Sequence, residues 1–297
     1  MKRRKFIISS LSLLGSGLII PSRIFAVPSG SRPGISVVKG ENPALITRKA
    51  VALIGGMQNF VSRGDVVIIK PNMAWDRTPL QAANTNPEVV AEAVSLSLKA
   101  GAAKVKVFDN TCNMPRRVYK RSGIAAAAKK AGAEVSFMDE RKFTESGING
   151  DALRQWPVCR DALEADKIIN VPVAKHHSLT RLTMGIKNLM GLIGGRRNLL
   201  HQHIDTSIVD LAAFFKPTLT ILDAFRILTA NGPQGGNLKD VETLKTVVAS
   251  SDPVAVDSIG ASFFGLKAAD LPYLLQAYER GLGEMNLDNM SVVREMP

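Results

Sequence analysis

Every histidine of the 297-residue chain lies between Lys175 and His203: His176, His177, His201 and His203. Imidazole titrates at about pH 6.5, which suits it to proton transfer and, when neutral, to metal ligation. The spacing is not that of a closed zinc finger, which would add cysteines. His201 and His203 stand two apart, so on a strand or extended loop both face one way. The four are read together as candidate ligands or proton carriers, against the plainer alternative of solvent-facing or core-capping side chains. Between the pairs runs Thr183-Met184-Gly185-Ile186-Lys187-Asn188-Leu189-Met190-Gly191, apolar at helical spacing. A lysine in such surroundings can have a depressed pKa and act as a nucleophile or covalent cofactor anchor. The alternative is a Lys187 that snorkels to solvent. Gly194-Gly195-Arg196-Arg197 then reads as a basic turn suited to a carboxylate or phosphate, or as a helix stop with two solvated arginines.

The elements that must position these groups alternate in type. Short β-branched runs at Ile35–Lys39, Val66–Lys70, Lys104–Asp109, Glu134–Met138, Lys167–Val171, Leu219–Asp223 and Lys245–Ala249 predict strands. Amphipathic stretches at Pro87–Ala100, Tyr119–Ala131, Ile208–Phe215 and Val254–Phe264 predict helices. Asn86-Pro87-Glu88 is a helix start, Gly101 a helix stop, and Asp252 an N-cap ahead of Pro253. The expected fold is α/β, a parallel or mixed sheet with helices on both faces, and the layout admits two lobes with a cleft between them. In such sheets ligands bind at the carboxyl ends of strands. Four strand ends carry polar punctuation there: Lys70-Pro71-Asn72, Asp109-Asn110-Thr111-Cys112, Lys175-His176-His177 and Asp223. Asn72 and Asp109 are thereby candidate substrate-binding residues of a shared crevice. Asn231-Gly232-Pro233 with Gly235-Gly236 reads as a long turn that can serve as a lid.

The formal charge is +12, and residues 1–26 carry five basic residues and no acid, leaving +7 on the rest. That surplus is dispersed and only 5% of residues are aromatic, a poor composition for a nucleic-acid surface and a better one for a small anionic substrate. Cys112 and Cys159 are the only cysteines and form no C-x-x-C, so no iron–sulfur cluster is made by this chain alone; a single disulfide between them stays open. Residues 1–26 read as a signal peptide, with a basic start, an apolar stretch from Phe6 to Ile20 and a small residue at Ala26. Arg3-Arg4-Lys5-Phe6-Ile7 resembles a twin-arginine signal, so the expected partner is the export machinery for folded proteins and the destination periplasmic or extracytoplasmic. An ordinary export signal is the alternative. Residues 27–34 read as a linker and 35–297 as the α/β domain. There is no G-x-G-x-x-G after a strand, no G-x-x-x-x-G-K-[ST] and no G-x-S-x-G, so dinucleotide, triphosphate and α/β-hydrolase readings gain nothing.

Lys70-Pro71-Asn72, Thr85-Asn86-Pro87-Glu88, Ser122-Gly123-Ile124, Ile169-Asn170-Val171-Pro172, Lys187-Asn188, Asn231-Gly232-Pro233 and Asp252-Pro253 with Asp257 together resemble domain-of-unknown-function family 362, over about residues 35–270. Many members carry an appended ferredoxin-like cluster segment whose cysteines are missing here. More distantly, the order His177, Lys187, His203 resembles the active-site order of the nickel-pincer lactate racemases. That resemblance implies His177 as acid/base, Lys187 as covalent anchor of a metal-organic cofactor and His203 as nickel ligand; the histidine cluster alone keeps His176 and His201 as further metal candidates, with bystanders as the alternative. Asp76-Arg77-Thr78-Pro79 is similar to the family's substrate-binding segment and implies Arg77 as an anion holder, beside Arg196 from the basic turn. Cys112 falls near the place of the second catalytic histidine, where a thiol would move the proton. The expectation is an exported enzyme, isomerase or oxidoreductase, using nickel or another transition metal for proton or hydride transfer on a small carboxylate. The rival is a non-catalytic binding or electron-transfer partner of a ferredoxin-like redox protein.

Overall fold

A computed structural model describes residues 34–295, so the signal peptide over residues 1–26 and the linker as far as Pro33 lie outside the described residues. The described residues form one compact unit. In chain order the elements are β1 (Ile35–Lys39), α1 (Pro43–Leu53), β2 (Val66–Pro71), α2 (Pro87–Lys99), β3 (Lys104–Val107), α3 (Pro115–Arg121), α4 (Ile124–Lys130) and β4 (Glu134–Val135). A two-stranded hairpin of β5 (Phe143–Gly147) and β6 (Gln155–Cys159) follows, then α5 (Arg160–Glu164), β7 (Lys167–Val171), β8 (Val173–His177), β9 (Arg181–Thr183) and α6 (Gly185–Asn188). The chain continues through α7 (Ile204–Phe215), β10 (Leu219–Leu228), β11 (Val241–Ser250), α8 (Pro253–Ser262), α9 (Pro272–Glu279) and β12 (Val292–Glu295).

Ten strands form one mixed sheet in the order β12-β1-β11-β10-β7-β2-β3-β4, with β8 on β10 and β9 on β8. The block β10-β7-β2-β3-β4 is parallel, whereas β11 runs antiparallel to both β1 and β10. Strand residues alternate between faces, and the two hydrophobic clusters divide accordingly. Val67, Ile69, Ile169, Val171, Ile221 and Val247 pack with α1, α2 and α4, while Ile68, Ile168, Leu222 and Val248 pack with α5 through α9. Burial on both faces explains why the central strands read as unbroken apolar runs.

Pro172 shapes the site. With no N–H it cannot donate to a ladder; its carbonyl instead accepts from Asp223 N at 2.9 Å. Up to Val171 the strand lies between β2 and β10; beyond Pro172, β8 stays with β10 through Val173 and Lys175, and β2 stops at Pro71. The sheet therefore parts between β2 and β8 at the carboxyl ends of the parallel block. The helix expected over Tyr119–Ala131 is instead two, α3 and α4, broken at Ser122-Gly123, where Gly123 adopts φ 74°. The other anticipated strands and helices are present with shifted ends: the Leu219 and Lys245 strands extend to ten residues each, while the strands expected over Lys104–Asp109 and Glu134–Met138 shorten to Lys104–Val107 and Glu134–Val135.

Candidate active site

The parting of the sheet holds a cavity of about 400 Å³. Its walls carry Lys70, Asn72, Asp109, Cys112, Lys175, His177, Thr183, Lys187, Asn188 and Arg197. Three buried lysines line this one cavity, and buried ammonium groups are costly unless paired. Lys70 is 1% exposed and salt-bridged to Asp109 at 3.0 Å, and it donates to Pro71 O at 2.6 Å. Lys175, also 1% exposed, donates to Asn72 Oδ1 at 3.1 Å and Ala83 O at 2.6 Å. Lys187, 6% exposed, has only Met190 Sδ within bonding reach, at 3.4 Å. Among the described residues lining the cavity, Asp109 is the single carboxylate.

Burial sets the electrostatics. It pushes Lys175 down to about 7 and Lys187 down to about 8, and it also lowers Lys70 against the pull of Asp109. Arg197 donates to Asn110 O at 2.9 Å and Thr111 O at 3.1 Å, so its charge has no carboxylate partner either. His177 Nδ1 accepts from Leu179 N at 3.1 Å and Thr180 N at 3.4 Å. The neutral ring must then carry its proton on Nε2, and burial next to Lys187 and Lys175 lowers its pKa to about 3. At neutral pH His177 offers a hydrogen-bond donor; it cannot take up a proton through Nδ1. Thr183 Oγ1, buried on the same wall, has no hydrogen-bond partner.

Local structure explains these placements. Asn188 donates to Lys70 O and Asn170 Oδ1 and accepts from Asn72 Nδ2, so one side chain ties α6 to β2 and β7. Buried Asp257 on α8 accepts Gly185 N at 2.7 Å and Ile186 N at 3.0 Å, fixing the turn that presents Lys187. Asp109 Oδ2 accepts Met73 N at 2.6 Å. Both oxygens of Asp109 are thus committed within the protein, and it positions Lys70 where substrate contact had been expected.

The structure brings together His177, Cys112, Lys187, Asn72, Asp109 and His201 of the anticipated residues, and leaves four outside the cavity. Arg77 is turned to Gly235 O and Asp76 O, where it holds the Asn231–Gly236 turn. Arg196 does not line the cavity; its neighbour Arg197 does. His176 Nδ1 accepts from Gly232 N at 3.1 Å and anchors the same turn, whose Pro233 closes one side of the cavity. His203 is exposed. Among the described residues no three His, Cys, Asp or Glu side chains converge as a metal-ligand set. The wall is also cationic, which repels a divalent metal. The residues present do not fit nickel held by His176, His201 and His203. Cys112, exposed, and Cys159, in the core, are both free thiols.

Lys70 and Lys175, central here, were anticipated only as strand-end punctuation. The signal was available: Val66-Val67-Ile68-Ile69-Lys70 is one apolar run in a strand buried on both faces, so its lysine had to be buried too.

Comparison with known proteins gives the lineage. Residues 67–262, more than half of the chain, match the family model described as "Domain of unknown function (DUF362)". The chain is 30% identical over 239 residues to the thylakoid-associated protein sll1697 of Synechocystis, covering 77% of this chain and 72% of that one. Among solved structures it is similar to the lactate racemase apoprotein of Thermoanaerobacterium thermosaccharolyticum, at 12% identity and TM-score 0.48 over 76% of this chain and 56% of that one. It is also similar to a Thermotoga maritima protein at 11% identity and TM-score 0.41, over 82% and 59%. The chain therefore spans less than two thirds of either solved protein. With the family model matched across both halves of the parallel block and the cavity between them, the chain belongs to the DUF362 family.

Proposed function

We propose that the protein binds a small organic anion in the cavity between β2 and β8 and acts on it by proton transfer. What carries this reading is the imbalance of charge: Lys70, Lys175, Lys187 and Arg197 face a space in which only Asp109 is acidic. An anion relieves that imbalance, restoring the charged form of amines that burial alone disfavours. Lys175 and Lys187, held at about 7 and about 8, give and accept protons near neutrality. His177 Nε2 and Thr183 Oγ1 supply neutral donors for substrate oxygens. The leader and its Arg3-Arg4 pair support export of the folded chain through a twin-arginine route as part of the same proposal.

The experiment is a thermal-shift and calorimetric survey of the purified chain with lactate, pyruvate, 2-oxoglutarate and phosphate. Stabilisation by at least one carboxylate in the parent, lost in Arg197→Gln and Lys175→Met, is the expected result. Stabilisation that survives both substitutions, or none with any anion, refutes the assignment.

A further inference from the structure

The three cavity lysines are not equivalent. Lys70 spends its ammonium on Asp109, Pro71 O and Asn188 Oδ1. Lys175 spends its own on Asn72 Oδ1 and Ala83 O. Among the described residues Lys187 Nζ meets no oxygen, only the thioether of Met190, and Asp205 acts on it from beyond bonding distance. An amine that donates to oxygen acceptors has its nitrogen held in place by them, whereas the Nζ of Lys187 is left open to the cavity and, once deprotonated, has its lone pair free to attack. The anchoring of α6 by Asp257 and Asn188 fixes the backbone on both sides of it, so the nucleophile is presented from a rigid turn.

We propose that Lys187 condenses with the carbonyl of a 2-oxo acid to form an imine at Nζ, which makes the substrate class a carboxylate bearing an adjacent carbonyl. This rests on the anion reading above and extends it. The Nζ lone pair attacks the carbonyl carbon, the C–N bond forms, and the carbonyl oxygen takes a proton to give a carbinolamine. That hydroxyl then leaves as water with a second proton, and the amine loses its own two protons, so the sum is amine plus ketone to imine plus water with no oxidant or reductant. Lys175, titrating at about 7, is the proton donor to the leaving hydroxyl, and His177 Nε2 stabilises the oxygen by donation. Arg197 carries the carboxylate, using N–H groups beyond the two given to Asn110 O and Thr111 O. Taking one proton back at Nζ turns the imine into an iminium, which draws electrons from the neighbouring carbon and acidifies its C–H, the proton transfer the cavity is proposed to perform.

The test is reductive trapping of the full chain with pyruvate and cyanoborohydride at pH 8, followed by intact mass and peptide mapping. At that pH Lys187 has about a hundredfold more neutral amine than an ordinary surface lysine, so one reduced pyruvyl adduct per chain is expected, on Lys187. It should be lost in Lys187→Arg and absent with lactate, which has no carbonyl. Mapping in the parent chain stands even if that variant fails to fold. Adducts scattered over surface lysines, or none while calorimetry still detects pyruvate, would overturn the imine and spare the anion site. No adduct together with no binding of any carboxylate would overturn both.

Discussion

Replacing Lys175 with methionine separates the energy of burying a charge from the function of that charge. In the folded chain the ammonium titrates at about 7, against an ordinary value of 10.5, and is 1% exposed. The folded state therefore binds protons less readily than the unfolded state, and the penalty is full below pH 7 and fades as pH rises towards 10.5. It is worth about 4–5 kcal/mol at pH 6.5 and about 2 kcal/mol at pH 9, at about 1.4 kcal/mol per tenfold change in proton affinity. The methionine removes this penalty but strands Asn72 Oδ1 and Ala83 O, a pH-independent cost of about 2–4 kcal/mol. The variant should then be more stable than the parent at pH 6.5 and no more stable at pH 9. The difference between the two should move by about 2–3 kcal/mol over that range. Urea unfolding of both chains at the two pH values, without added anion, measures it. Parallel stability profiles would refute the buried, unpaired ammonium and with it the electrostatics of the cavity.

Other expectations follow from the same geometry. A Cβ on Gly191 would run into Asp109 Oδ1 and Lys70 Cε, so Gly191→Ala should break that ion pair and abolish anion binding, as calorimetry would show. Asp257→Ala unpairs Gly185 N and Ile186 N and should cost about 2–4 kcal/mol in denaturant unfolding while weakening trapping at Lys187. Asp257 is held at about 7 by burial, so its own charge destabilises the fold increasingly as pH rises from 3.8 through 7; Asp257→Asn should flatten that decline. Replacing Arg3 and Arg4 with lysines should leave the chain in the cytoplasm, measured by fractionation, whereas unchanged export would point to a general secretion signal.

Much of the fold was legible because its signals are local. β1 and β7 have the bounds their β-branched runs predict, and Asn86 and Asp252 cap helices through side-chain oxygens as their types foretell. What the sequence concealed depends on partners far along the chain. β8 reads as a polar strand end, and its pairing with β10 on one side and β9 on the other makes Val173–His177 a strand. The histidine cluster misdirects for the same reason. Proximity in sequence placed four imidazoles together, but Pro172 and the Asn231–Gly236 turn send His176 to a backbone N–H, and His203 stays at the surface. Lys187 was visible by its apolar neighbours, which are what bury it. Lys175 and Arg197 were overshadowed by His176 and Arg196 beside them, one residue away on a strand and on a turn, where adjacent side chains point in different directions.

The central claim, a cavity whose amines are charged by the anion they bind, is tested most directly by calorimetry of pyruvate binding at pH 8 in two buffers of different ionisation enthalpy. If Lys175 and Lys187 are mostly neutral or half neutral in the empty cavity, binding should take up about one proton per chain, and the apparent enthalpy should differ between buffers accordingly. Saturable binding with the same enthalpy in both buffers would mean that the lysines are already charged, and would contradict the account.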